Sequence, residues 1–151
     1  MRKSKNAFTM IELMFVIVIL GILSAIALPK FATTKNLADV AKGRSDVMAI
    51  RSAILSERQS QLIKGINTYI PKLSDNNDTL FTGDGTRKLL NYGITKGTAD
   101  GHWSVSDGTG KNYNFKADSV NVPFTYNSTT GVFKCDTTAA NTGDTCKKMI
   151  N

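Results

Sequence analysis

The chain has 151 residues, of which 41% are hydrophobic and 21% are charged, and its formal net charge is +7. This length fits one modest domain. The positive charge does not by itself indicate a nucleic-acid-binding protein, because Arg2, Lys3 and Lys5 cluster at the N-terminus and the other basic residues are dispersed. Two cysteines and a single histidine, His102, have no zinc-ligand spacing, which argues against a zinc site.

The first predicted element is an apolar run of twenty-one residues, from Phe8 to Leu28, which follows the basic N-terminus. As a helix it would be about 31 Å long, the thickness of the hydrocarbon core of a bilayer. This run has three possible interpretations: a plain membrane anchor, a secretory signal peptide cut after Ala27, or a membrane segment in which Glu12 has a function.

Glu12 distinguishes these interpretations because a carboxylate within the hydrocarbon region is costly unless it is paired. Neither an anchor nor a signal peptide gains anything from it. No Lys, Arg or His lies between Phe8 and Pro29, so no cation in the same helix is available. A positive partner is therefore expected from another chain or from a new amino terminus.

The stretch AFTMIEL, Ala7 to Leu13, resembles the N-terminal signal of type IV pilins and type II secretion pseudopilins. The resemblance implies a leader, Met1–Ala7, that a prepilin peptidase removes by cutting between Ala7 and Phe8. The same enzyme would N-methylate the new terminus at Phe8. Family members usually have Gly before the cut, where this chain has the small residue Ala7.

The resemblance also implies a mode of assembly, in which Glu12 neutralises the N-terminal amine of a neighbouring subunit. Gly21 and Pro29 stand where family members carry a helix-weakening Gly and a kink-forming Pro. Both residues weaken a helix on physical grounds. Proline has no N–H to donate, and glycine lowers helix propensity by about 1 kcal/mol relative to alanine. We expect the segment between them to be the easiest part of the helix to bend.

Residues 29–70 are predicted to be amphipathic and helical to about Ile66, with Gly65 as a stop signal. One continuous helix of about fifty to sixty residues, or two helices separated at Pro29, would both fit. The apolar positions of this segment are Leu37, Val40, Ala41, Val47, Ile50, Ile54, Leu62, Ile66 and Tyr69.

Residues 71–151 are predicted to form a small globular head. The part from 72 to 101 is rich in turns, whereas 102–135 contains three or four short strands with alternating apolar residues. Pro123 indicates that its strand lies at an edge of the sheet. A long N-terminal helix, its first half transmembrane, packed on a small antiparallel sheet gives an α+β fold. This arrangement is similar to that of pilins.

The head offers few candidates for chemistry. In an oxidising compartment Cys135 and Cys146 would form a disulfide that closes a short loop, whereas two free thiols are the alternative. His102 lies in no catalytic motif, so we do not expect an enzyme. Asp100 and Asp107 are weak calcium candidates in loops without an EF-hand pattern, and no cofactor is expected by default.

The predicted function is that of a structural subunit of a type IV filament. The resemblance implies insertion in the inner membrane, with the N-terminus in the cytoplasm and the head outside it. A filament in the periplasm or at the cell surface would follow. The implied partners are other copies or related pilins, the prepilin peptidase, an inner-membrane assembly platform and membrane lipid. The alternative is a type II secretion or DNA-uptake minor pseudopilin whose head binds DNA or another partner. Glu12 argues against a third possibility, a secreted soluble protein.

Overall fold

A long helix, two antiparallel sheets and a short final helix make up the computed structural model, which describes residues 8–75 and 78–151. The chain divides between Lys35 and Asn36 into an N-terminal unit and a C-terminal unit. The α+β fold class is confirmed. In chain order the elements are α1 (Met10–Ile63), β1 (Thr79–Leu80), β2 (Ile94–Thr95), β3 (Trp103–Val105), β4 (Asn112–Ala117), β5 (Val120–Asn127), β6 (Val132–Cys135) and α2 (Gly143–Ile150).

Helix α1 begins with the predicted apolar run. Within the described residues one stretch, Met10–Leu28, is long and apolar enough to span a membrane, with 19 residues and a mean hydropathy of 2.8. None of this stretch is buried within the protein. Backbone hydrogen bonding continues past Pro29, so of the two predicted possibilities the structure has one continuous helix.

The end of α1 lies earlier than the sequence predicted, at Ile63 and not at Ile66 or residue 70. Gly65 has a φ of +78°, the left-handed conformation that glycine adopts without a steric penalty. The Gly65 N–H donates to the Leu62 carbonyl at 3.0 Å, and the Ile66 N–H donates to the Gln61 carbonyl at 2.9 Å. These two bonds form a Schellman motif, so the predicted stop signal at Gly65 is confirmed.

Only part of the predicted apolar face of α1 is buried in the C-terminal unit. Leu37, Leu62 and Ile66 are exposed. The positions that are buried recur every three or four residues, as one face of a helix requires. They are Gly43, Val47, Ile50, Ile54, Glu57 and Gln61. The two polar residues of this row, Glu57 and Gln61, were not predicted to be buried.

The main sheet has the antiparallel order β3-β4-β5-β6, and each strand pairs with its sequence neighbour. The predicted strands and their alternation are confirmed. In β4, for example, Tyr113, Phe115 and Ala117 are buried, whereas the residues between them are only half-buried. The turn-rich part before it contains the two-residue pair β1 and β2.

The prediction that Pro123 marks an edge strand is wrong, because β5 lies between β4 and β6. The Tyr126 N–H donates to the Lys111 carbonyl, on the β4 side of β5. Since strand residues alternate, the nitrogen of Pro123 faces the β6 side. There β6 ends at Cys135, which pairs with Phe124. Pro123 therefore lies at a position of β5 that has no partner residue in β6, so its missing N–H is not needed for strand pairing.

Trp103 is the centre of the core. Its ring lies 5.0 to 6.0 Å, between centroids, from four phenylalanine rings and is fully buried. Three of these rings come from the predicted strands, and the fourth, Phe81, comes from the turn-rich segment. They are Phe81, Phe115, Phe124 and Phe133. Edge and tilted contacts of this kind add to the stabilisation from burial.

The predicted disulfide between Cys135 and Cys146 is confirmed, and its Cα atoms are 5.9 Å apart. It joins the end of β6 to α2. Met149, on the same helix, is buried, so the bond holds an element that also contributes to the core.

At Gly43 helix α1 packs closely against that core. A Cβ atom there would lie 2.6 Å from Met149 Cε and 2.7 Å from Phe115 Cε1. We expect Gly43→Ala to lower the free energy of unfolding by about 1–2 kcal/mol, because overpacking outweighs the better helix propensity of alanine. Denaturant unfolding of the full chain in detergent, followed by Trp103 fluorescence, measures this. Gly108→Ala is the control, since a Cβ there meets nothing within 4 Å; equal losses in both variants would contradict the prediction.

Asp46 makes the stability of the C-terminal unit depend on pH. It is half-buried, and the Trp103 indole N–H donates to its Oδ2 at 3.0 Å. Burial raises the pKa of Asp46, against the smaller opposite effects of Trp103 and Lys42. A raised pKa in the folded state favours folding at low pH, and this contribution is lost as the pH rises through the pKa of Asp46.

Asp46→Asn should remove this dependence, because an amide oxygen can still accept the indole N–H. We expect wild type and Asp46→Asn to be equally stable below the ordinary aspartate pKa of about 3.9. At neutral pH the variant should be the more stable of the two. Melting temperatures from about pH 3 to pH 7 test this, and parallel curves for the two proteins would contradict it.

Candidate assembly site at the start of the long helix

The first turn of α1 brings Glu12 back to Thr9, the residue just before the helix. The Thr9 N–H and the Thr9 hydroxyl both donate to Glu12 Oε2, each at 3.0 Å. In return the Glu12 N–H donates to Thr9 Oγ1 at 3.3 Å. This reciprocal pair is a capping box, in which N-cap Thr and N3 Glu satisfy each other's backbone donors.

The capping box gives Glu12 a local hydrogen-bond partner that sequence analysis missed. The apolar run from Phe8 to Leu28 contains no cation, but the sequence pattern Thr9-x-x-Glu12 is the signal of a capping box. Carboxylates are also favoured near a helix N-terminus by the helix dipole. The carboxylate is therefore hydrogen-bonded within its own chain, while its charge is not neutralised by any side chain between Phe8 and Pro29.

Every residue from Met10 to Leu20 other than Glu12 is apolar. A shallow concavity of about 440 Å³ on the first two turns of α1 is lined by Met10, Ile11, Leu13, Met14 and Ile17. Glu12 does not line it, because a helix of 3.6 residues per turn places position 12 on the opposite face. All five are exposed, and Glu12 is the one charged residue in the apolar run from Phe8 to Leu28. Such a surface suits lipid or another apolar helix, provided that the charge is paired.

The other predicted site residues of this segment lie apart from Glu12. A Cβ atom at Gly21 would meet nothing within 4 Å, and helix α1 continues through Pro29. Phe8 is exposed and precedes Thr9. Ala7 and the rest of the predicted leader lie outside the described residues.

The two calcium candidates are engaged in loop hydrogen bonds. Asp100 Oδ1 accepts the Ser119 N–H at 3.0 Å. Asp107 accepts from the Thr109 hydroxyl and the Asn112 amide, and these bonds hold the pKa of its carboxyl below the usual value. Among residues 8–75 and 78–151 no three His, Cys, Asp or Glu side chains are grouped to hold a metal. Calcium binding here stays a prediction.

Comparison with known proteins is consistent with the geometry of the first turn. Residues 2–28 match the family model of the prokaryotic N-terminal methylation motif. The chain carries a prepilin-type N-terminal methylation motif. This motif includes both members of the capping box, Thr9 and Glu12, and ends at Leu28, the last residue of the predicted membrane span.

Similarity to whole proteins extends over part of the chain. Type II secretion system core protein G of Klebsiella michiganensis is 43% identical over 53 residues, which are 35% of this chain and 37% of that protein. The same protein of Escherichia coli is 38% identical over 50 residues, 33% of this chain and 34% of its own length. A fimbrial protein of Pseudomonas aeruginosa is 30% identical over 95 residues, 58% of this chain and 59% of its own length. The chain thus spans about a third of the core protein G sequences. No solved structure matches it.

Proposed function

We propose that this protein is a structural subunit of a filament of the type IV pilus or type II secretion pseudopilus kind, and not an enzyme. The observation that carries the proposal is the methylation motif at residues 2–28, continuous with an apolar helix that can span a membrane. The similarity to core protein G and to a fimbrial protein supports it.

In this proposal the chain enters the inner membrane through residues 8–28, with the basic N-terminus in the cytoplasm and the head outside. The basic residues Arg2, Lys3 and Lys5 precede the apolar run, and the positive-inside rule places a basic flank of a membrane span in the cytoplasm. A prepilin peptidase cuts between Ala7 and Phe8 and methylates the Phe8 amine. The assembly platform of the inner membrane then adds the subunit to the filament.

Glu12 pairs, in this proposal, with the methylated N-terminal amine of a neighbouring subunit. The apolar surface around it excludes water, which strengthens the attraction between the two charges. Because an unpaired charge in that surface is unfavourable, docking is favoured only where the amine meets the carboxylate. Thr9 holds the carboxylate at Oε2 until that partner arrives. Glu12 therefore sets the position of one subunit against the next.

The proposed function has two versions, a pilus subunit and a secretion pseudopilus subunit, because the chain is similar both to core protein G and to a fimbrial protein. The disulfide-closed loop at Cys135 and Cys146 resembles that of pilins and favours a pilus-type subunit. Deletion of the gene distinguishes them. Loss of surface filaments would support a pilus, whereas loss of secreted folded proteins would support a pseudopilus.

The experiment that tests the proposal is the intact mass and N-terminal sequence of the protein from its native membranes. We expect a chain that begins at Phe8 and carries one methyl group on its amine. A chain that begins at Leu28, after the small residues Ala25 and Ala27, would show signal-peptide cleavage and would overturn the proposal.

A further inference from the structure

A polar groove of about 360 Å³ lies where the last three turns of α1 meet the segment 86–89, wholly within the C-terminal unit. We call it the Gln61 groove. Hydroxyl groups, one amide and two ammonium groups line it. These groups belong to Ser56, Ser60, Gln61 and Lys64 on the side of the helix and to Thr86 and Lys88 on the other side.

Gln61 is the residue that indicates a ligand. It lines the groove, although only 8% of its surface is exposed. Its side-chain amide makes no hydrogen bond with any other residue that the structure describes. An amide can donate two hydrogen bonds and accept two, and burying it without partners is unfavourable. A polar ligand in the groove would supply those partners.

Lys64 and Lys88 give the groove a net positive charge. Both are exposed, and neither forms an ion pair with another residue in 8–75 or 78–151. The other two charged residues that line the groove cancel, because Arg87 donates to both carboxylate oxygens of Glu57. The electrostatic potential of the groove therefore favours an anion.

The wall opposite the helix is held in place by its own chain. The Asp84 carboxylate accepts the N–H groups of Thr86 and Arg87 at 3.0 and 2.6 Å. Lys88 pairs with Gly83 in an antiparallel bridge. Because these bonds order the wall without a ligand, binding costs less conformational entropy.

The position and the lining of the groove distinguish between classes of anion. Phosphate groups favour a helix N-terminus, whereas this groove lies at the C-terminal end of α1, where the helix dipole disfavours a compact dianion. The Arg87 guanidinium, the group best suited to phosphate, is already bound to Glu57. The hydroxyl and amide groups instead match the hydroxyls of a sugar. The volume lies within the range of small-molecule sites.

We propose that the Gln61 groove binds a carboxylated sugar of the uronate type. The ammonium groups of Lys64 and Lys88 bind its carboxylate. Its hydroxyls exchange hydrogen bonds with the Gln61 amide and with the hydroxyls of Ser56 and Ser60. This binding site goes beyond the proposed filament function and does not depend on it.

An NMR titration of the isotope-labelled full chain in a zwitterionic detergent tests the inference, with D-galacturonate as the probe. We expect saturable shifts of the Gln61 side-chain amide signal, which its loss in Gln61→Met assigns. D-Galactose lacks the carboxylate and acetate lacks the hydroxyls, so each should bind at least about tenfold more weakly. Acetate or inorganic phosphate binding as tightly as galacturonate would overturn the proposal, as would the absence of saturable shifts.

Tri-galacturonate distinguishes two sources of such a sugar. Binding as tight as that of the monomer would support a uronate residue within a polysaccharide as the ligand. Markedly weaker binding than that of the monomer would support the free sugar. Filament assembly is measured separately, so no result of these titrations decides the proposed function.

Three substitutions test the chemistry of the groove. Lys88→Gln should weaken galacturonate binding at least about tenfold, because a hydrogen bond to a charged group is lost. Lys148→Gln removes the same charge from an exposed position on α2, outside the groove, and should change the Kd by less than about twofold. Gln61→Met keeps the size of the side chain and should weaken binding about three- to tenfold.

The two lysine variants keep the test decisive even if Gln61→Met unfolds, because both lysines are exposed. Equal weakening by Lys88→Gln and Lys148→Gln would show only a general attraction to a basic protein and would overturn the site. Unchanged affinity in Lys88→Gln would overturn it as well. Melting temperatures of the variants establish that each is folded.

Discussion

Glu12→Gln is expected to reduce incorporation of the chain into filaments by at least about a hundredfold, because under the proposed pairing it leaves the amine of the neighbouring subunit buried without a counter-charge. Glutamine at this position can still complete the capping box with Thr9, so the helix start is preserved. The amount of protein in the membrane should be unchanged. Quantitative immunoblots of sheared filaments and of membranes give the ratio.

Thr9→Val is the matched variant, since it keeps the charge of Glu12 and removes the hydroxyl that takes part in the capping box. Loss of an N-cap costs about 1 kcal/mol of helix stability. We expect incorporation to fall less than about tenfold. The reverse result, normal filaments with Glu12→Gln and none with Thr9→Val, would mean that Glu12 serves only to begin the helix. N-terminal sequencing of both variants establishes that processing at Phe8 is intact.

Glu12 shows how a search for oppositely charged residues alone overlooks a hydrogen-bonding role. A carboxylate in an apolar run predicts a cationic partner, but a carboxylate at the third helical position also predicts a capping box. The hydrogen bonds from Thr9 explain how the carboxylate is solvated before assembly. They do not supply a positive charge. The capping box therefore complements the proposed pairing, and the two variants above measure each contribution.

Features that depend on local sequence were predictable. Alternating apolar residues predicted β4 and β5, because successive strand residues point to opposite faces. Gly65 predicted the helix end, since a left-handed residue terminates α-helical hydrogen bonding. Cys135 and Cys146 predicted a disulfide for an oxidising compartment, with two free thiols as the alternative, and the disulfide is present. In each case the physical cause lies within about a dozen residues of the feature.

Features that depend on distant parts of the chain were not predictable. Pro123 was assigned to an edge strand because a missing N–H suits an edge, but the relevant edge is created by the length of β6. Phe81 belongs to the aromatic core although it lies among turn residues and has a φ of +62°. No periodicity marks such a residue, and only the packing of the strands around it places it there.

The buried ion pair between Glu57 and Arg87 is another contact of this kind, between residues thirty positions apart in the sequence. Arg87 Nε and Nη2 donate to the two carboxylate oxygens of Glu57 at 2.6 and 2.7 Å. Arg87 also donates to the backbone carbonyls of Thr68 and Tyr69. One guanidinium thus joins the loop after α1 and the turn at residues 84–88 to the buried face of the helix.

We expect Arg87→Ala to lower the free energy of unfolding by about 3–5 kcal/mol, since it leaves the Glu57 carboxylate buried and unpaired. The side chains are only 13% and 5% exposed, so water cannot replace the lost partner. Arg87→Lys keeps the charge but cannot make the bidentate contact, and it should recover only part of the loss. Denaturant unfolding of the full chain in detergent, followed by Trp103 fluorescence, compares the variants.

The double variant Arg87→Met with Glu57→Leu separates the cost of an unpaired charge from the value of the pair itself. Replacing both members of a buried ion pair by apolar residues is often neutral, whereas removing one is not. We therefore expect the double variant to be more stable than Arg87→Ala. If the two are equally unstable, the hydrogen bonds to Thr68 and Tyr69 hold the loop on α1, and the charge of Glu57 contributes little. If Arg87→Ala changes stability by less than about 0.5 kcal/mol, this ion pair behaves as a surface salt bridge.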